Sequence, residues 1–169
     1  MRAIVLLVLP VWVTRTILRE GLGAAFQLGM PSAQGLARAL AYGAAYLGCV
    51  AGFLYLVQGS LEPSLPTGLA LGLLIVDVFV EEALCRGFLL TQLRRELTFA
   101  RANALAALTF ALAHSRMLFG IWSQGEYVGL ALSATLAYLL GLCMGALTRT
   151  AGCIWVSVLI HTANNLLGR

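Results

Sequence analysis

Four ionisable side chains fall inside one apolar run: Asp77, Glu81, Glu82 and Arg86, within Gly68–Gln92. An ionised side chain at the centre of a membrane helix costs about 2.5–3.5 kcal/mol on insertion scales. Unpaired, the four would cost roughly 10 kcal/mol, and a simple anchor would not carry them. They are therefore read as functional. Helical spacing divides them. Glu82 and Arg86 stand at i, i+4 and can neutralise each other along one face. Glu81 is turned by about 100° from Glu82, which points it at a different neighbour and leaves it as the carboxylate available for chemistry. Asp77 lies one turn from Glu81 and is either a supporting partner or a residue of an aqueous vestibule.

The chain has two histidines, and both also lie in apolar runs. His114 closes Phe110-x-x-x-His114, and His161 opens His161-x-x-x-Asn165, with Asn165 on the same helix face. A carboxylate, two imidazoles and an amide offer a base for water and donors for a developing oxyanion. Cys85 is read as packing, and no covalent Ser or Cys route is needed.

These residues need helices to hold them. The chain is 60% hydrophobic and 11% charged, against about 25% charged in a soluble domain. Lipid is the solvent that explains the deficit. Five runs are long enough or nearly so to span: Ala37–Val57, Gly68–Gln92, Ala102–Gly120, Tyr127–Leu147 and Ala151–Leu167. Irregular backbone cannot face lipid, so the expected fold is all-α, a polytopic transmembrane helix bundle. Residues 37–169 form the core that carries the motifs. Residues 1–36 hold an apolar segment, Ala3–Leu18 with Pro10, and a basic connection. That segment is either a sixth span or an interfacial helix, and we favour the span.

Depth places the polar residues in one layer. At about 1.5 Å per residue, Glu81 lies roughly 16 Å from Gln92, His114 about 18 Å from Ala102, and His161 about 15 Å from Ala151.

All eleven basic residues are Arg, and the net charge is +4. With alternating crossings, Arg15, Arg19, Arg38, Arg94, Arg95, Arg101 and Arg149 share one side, which the positive-inside rule makes cytoplasmic. Arg116, Arg169, Glu62 and Glu126 lie toward the other side. The arginines punctuate apolar runs instead of forming a patch, so no nucleic-acid partner is expected. The four cysteines (Cys49, Cys85, Cys143, Cys153) form no CxxC pair and read as small buried hydrophobes, not a disulfide framework.

The three motifs, Glu81-Glu82-x-x-x-Arg86, Phe110-x-x-x-His114 and His161-x-x-x-Asn165, resemble those of the CAAX protease and bacteriocin-processing (CPBP, Abi) family. The resemblance covers roughly Gly68 to Leu167. It implies a glutamate-dependent intramembrane endopeptidase of a bacterial plasma membrane, multi-pass, acting on a membrane-associated or hydrophobic protein or peptide. CAAX-like, bacteriocin or C-terminal sorting-tail processing are the roles it suggests. Residue by residue, Glu81 and His114 would activate water, Glu82 and Arg86 would form the supporting pair, and His161 and Asn165 would bind the oxyanion. No cofactor is expected on this reading. Two alternatives stand beside it. Glu81, His114 and His161 are also a plausible Zn²⁺ ligand set, and the polar layer would equally suit a non-enzymatic immunity or scaffold protein.

Overall fold

The computed structural model describes residues 2–60, 66–114, 120, 122–123 and 125–167, with backbone alone for residues 2–6 and 58. Glu62, Arg116, Arg169 and residues 115–119 of the Ala102–Gly120 run lie outside the described residues. Among the described residues all regular structure is helical, with no strand. Helix α1 runs Arg2–Val13 and is prolonged by a π-helical turn, Thr14–Leu18. It stops where Arg19 turns left-handed at φ 54°. A single turn, α2 (Leu22–Ala25), follows. Helix α3 (Ala33–Gln58) starts on the Ser32 hydroxyl, which accepts from the Gly35 N–H, and ends at Gly59 with φ 75°. Helix α4 runs Leu69–Glu82, widens into a π-helical stretch at Ala83–Leu89, and finishes as Leu90–Leu93. Helices α5 (Phe99–Ala113), α6 (Tyr127–Ala151) and α7 (Trp155–Leu167) complete the bundle.

Beside an apolar core, many large apolar side chains face outward. Leu56, Leu73, Ile75, Leu105, Leu108, Leu132, Leu139 and Leu159 are exposed. The fully buried positions include Glu82, Arg86, Ser157 and His161. Water-soluble monomers rarely expose such continuous apolar surface; helices in lipid do, because their backbone is already satisfied. Two segments, Ala33–Val57 and Tyr127–Ala151, are long and apolar enough to cross a bilayer, and little of the first is buried. Leu7–Leu18 and Phe99–Ala113 are apolar but shorter.

Small residues bring the helices together, since lipid supplies no hydrophobic drive for helix association. Helix α5 packs along α6, where a Cβ on Gly141 would fall 2.9 Å from the Ala107 Cα. A Cβ on Gly145 would fall 1.8 Å from the Asn103 Oδ1. The Asn103 Nδ2 donates across this contact to the Leu142 carbonyl at 3.0 Å. The N-terminal segment is stitched to the core. Phe26 stacks on Phe88, Gln27 donates to Thr91, Trp155 donates to the Leu28 carbonyl, and Arg95 pairs with Glu20.

Several boundaries differ from the sequence expectation. Helix α5 ends at Ala113, inside the third apolar run, and His114 leaves it at φ −83°, ψ 11°. The last run does not begin at Ala151. Gly152 turns left-handed at φ 74°, its N–H closing on the Thr148 carbonyl, and the Ile154 N–H bonds the Gln27 carbonyl. Helix α7 therefore starts at Trp155, and His161 lies about 9 Å from its start instead of 15 Å. The equal-depth expectation therefore does not hold for His161, which nevertheless lies 3.8 Å from Glu81. Cys49 is exposed, contrary to the buried reading, whereas Cys85 and Cys153 are buried; all four thiols are free. Hydropathy cannot tell a lipid-facing thiol from a core one.

Candidate active site

The EExxxR segment sits where α4 changes from α to π geometry, with the Leu90 N–H reaching back to the Cys85 carbonyl. Such widened turns recur at functional sites. Glu82 and Arg86 are both buried and paired, with Arg86 Nη1 3.1 Å from Glu82 Oε1. Arg86 also donates through Nη2 to the Gly141 carbonyl of α6 at 3.2 Å. Its guanidinium lies over the Phe110 ring, 4.3 Å from the centroid. One side chain thereby ties α4 to α5 and α6. Charges this deep persist only when paired and hydrogen-bonded.

His161 enters from α7 and stands between the two glutamates. Its Nδ1 lies 2.8 Å from Glu82 Oε1, and its Nε2 lies 3.8 Å from Glu81 Oε2. The sequence reading sent Glu81 and Glu82 to different neighbours, whereas here one imidazole wedges between consecutive carboxylates and faces both. The Glu82 oxygen, already paired with Arg86, acts as acceptor, so the tautomer assigned to His161 carries its proton on Nδ1. The Nε2 lone pair of the neutral ring then faces Glu81. The two glutamates differ sharply in access, the Glu81 side chain being 40% exposed and that of Glu82 fully buried.

Phe110 organises the histidines. Its ring is tilted against His114 with centroids 4.6 Å apart, and meets His161 edge-on at 5.4 Å. The i, i+4 spacing of Phe110 and His114 also lets the His114 Nδ1 donate to the Phe110 carbonyl at 2.9 Å, capping the end of α5. That leaves the His114 Nε2 as an acceptor. His114 lies within electrostatic range of Glu81.

His114, His161 and Asn165 line a cavity of about 640 Å³ between α3, α5, α6 and α7. Its walls are apolar, with Val50, Phe53 and Leu54 from α3 facing Leu136, Leu139 and Leu140 from α6. Glu81 is not among its lining residues; it meets the site through His161. Asp77 is exposed and makes no hydrogen bond or ion pair with Glu81 among the described residues. Among the described residues no three His, Cys, Asp or Glu side chains are grouped to hold a metal ion.

Two features were missed in the sequence. Tyr46 of α3 donates to the Asn164 Oδ1 at 2.8 Å, and both line the cavity. Nothing in the spacing links residues so far apart in the chain. Ser157 lies one turn before His161, a placement visible in the sequence. Its hydroxyl donates to the Ile154 carbonyl at 2.8 Å and accepts from Thr148 at 3.0 Å. Those bonds are those of a packing serine, not of a nucleophile activated by His161.

An all-helical chain with an apolar exterior and a carboxylate–imidazole cluster within it is, as a class, a membrane-embedded protein with a polar centre. Residues 63–167 match the family described as type II CAAX prenyl endopeptidase Rce1-like. The chain belongs to this Rce1-like family, the CPBP family, and the matched stretch contains all three motifs. Membership implies a membrane-embedded protease, hence a hydrolase. No curated protein and no solved structure matches the chain.

Proposed function

We propose that the protein is a glutamic-type intramembrane endopeptidase. It hydrolyses a peptide bond of a membrane-associated or hydrophobic protein or peptide by water activated at Glu81 and His114. The observation that carries this is the bracketing of His161 by Glu82 and Glu81 beside the apolar cavity. Glu82 and Arg86 fix His161 and are not consumed. Water loses a proton to Glu81, assisted by the acceptor Nε2 of His114, as its oxygen attacks the scissile carbonyl carbon. Glu81 passes that proton to the His161 Nε2 3.8 Å away, and the oxyanion takes hydrogen bonds from this N–H and from the Asn165 amide. Glu82 balances the imidazolium charge. Collapse breaks the C–N bond, and the proton returns from His161 through Glu81 to the leaving nitrogen. The apolar walls suit a substrate that arrives from the bilayer.

The bundle is assigned five spans, with α1 as a sixth, in a bacterial plasma membrane. Arg15, Arg19, Arg38, Arg94, Arg95, Arg101 and Arg149 lie on the cytoplasmic side by the positive-inside rule. The reaction as written needs no metal and no nucleic-acid partner. Comparative peptidomics of membranes carrying the wild-type chain or Glu81→Ala tests the proposal. Cleavage products present only with the wild type are expected. Identical peptide profiles at equal protein levels would remove the peptidase reading and favour an immunity or scaffold role.

A further inference from the structure

A second cavity, of about 520 Å³, lies at the end of the bundle where α3 begins and α6 ends. Close contact of those ends builds it. A Cβ on Gly35 would fall 2.9 Å from the Thr150 carbonyl oxygen, so the first turn of α3 rests directly on the last turn of α6. This brings Arg38 and Arg149 into one pocket with Ser32, Gln34 and Tyr42. No carboxylate lines it, and neither arginine has an ion-pair partner among the described residues. By contrast, Arg95 at the same end is paired with Glu20.

Phe99 holds the cluster. The Arg149 guanidinium lies 4.4 Å from its ring centroid, and Arg94 approaches the same ring at 5.8 Å. Arg94 and Arg149 thus share one aromatic ring, Arg38 and Arg149 share one pocket, and none of the three has an ion-pair partner among the described residues. Stacking on a ring face fixes the guanidinium plane and leaves its N–H edge for a ligand, the fork that matches phosphate oxygens. The hydroxyls of Ser32 and Tyr42 and the Gln34 amide are neutral donors for the remaining oxygens.

We propose that this pocket binds a phosphate group, that of an anionic phospholipid in the leaflet at the arginine-rich end. The site is separate from the Glu81–His161 centre and does not rest on the peptidase reading. Its volume leaves room for the ester substituents of a headgroup as well as the phosphate.

The test is native mass spectrometry of the full chain in detergent with equimolar phosphatidylglycerol and phosphatidylcholine, repeated with millimolar inorganic phosphate. One phosphatidylglycerol should be retained in preference. Each arginine at a membrane surface contributes about fivefold, so Arg38→Gln with Arg149→Gln should weaken retention about 25-fold. Arg149→Lys, which keeps the charge but not the fork, should fall between. Arg15→Gln removes one charge from the turn after α1, outside the pocket; detergent offers no charged bilayer for it to act on, so retention should change less than with Arg38→Gln or Arg149→Gln alone. Retention that survives inorganic phosphate assigns the site to lipid; phosphate bound without lipid preference assigns it to the free anion. Equal losses in Arg15→Gln and the double variant, or no binding of either, would overturn the site.

Discussion

Replacing Arg86 by Met tests the organisation of the centre without touching the proposed base. Arg86 is 1% exposed and its partner Glu82 fully buried, so the substitution strands a carboxylate away from water. Removing one partner of a buried pair typically costs 3–5 kcal/mol, about 3–5 here. The lost hydrogen bond to the Gly141 carbonyl and the lost stacking on Phe110 act in the same direction. The double variant Glu82→Gln with Arg86→Met removes the stranded charge and should recover part of the loss, since a neutral amide in place of the carboxylate leaves no ion to desolvate. Reversible unfolding of the purified chain in mixed micelles, followed through a double-mutant cycle, measures both. A cost below about 1 kcal/mol for Arg86→Met, or a double variant weaker than the sum of the singles, would refute the buried-pair account.

Other consequences follow from specific contacts. Tyr46→Phe removes the donor that holds Asn164; a hydrogen bond of about 0.5–1.5 kcal/mol predicts a KM raised up to about tenfold with kcat changed less. An effect on kcat alone would place Tyr46 in the chemistry instead. Gly145→Ala drives a Cβ into the Asn103 side chain and should destabilise by about 1–3 kcal/mol, with Asn103→Ala in the same chain relieving part of the loss. Equal stability of Gly145→Ala and wild type in an unfolding titration would show that α5 and α6 do not pack this closely. Chelators, with the Glu81–His161 centre acting without a metal, should leave peptidase activity of the purified chain unchanged. Loss on chelation with recovery on added Zn²⁺ would instead assign Glu81, His114 and His161 as metal ligands.

Much of the centre was legible because charge is expensive in lipid. Glu82 and Arg86 could not lie in an apolar run without pairing, and their i, i+4 spacing supplies the pair. The helical class was legible for the same reason. The position of His161 between Glu81 and Glu82 was not, because it depends on the height and rotation of α7 against α4. Those are set by the Gly152 turn and its contacts with Gln27 and Leu28. Nor could periodicity show the end of α5, where His114 caps its own helix within an unbroken apolar run. The Tyr46–Asn164 bond joins residues with no local signal, and exposure of Cys49 depends on whether lipid or protein covers a face. Hydrophobicity is the same in both cases.

The central claim is that Glu81 is the base and Glu82 the holder of His161. Steady-state hydrolysis by purified wild-type and Glu81→Gln protein, on a peptide substrate found by the membrane comparison, tests it most directly. The account predicts a loss in kcat/KM of about 10²–10⁴, the usual contribution of a general base. Because Glu81 is partly exposed, unfolding should stay close to wild type. A Glu81→Gln protein that is as stable as wild type and hydrolyses the peptide within about threefold of its rate would contradict the account.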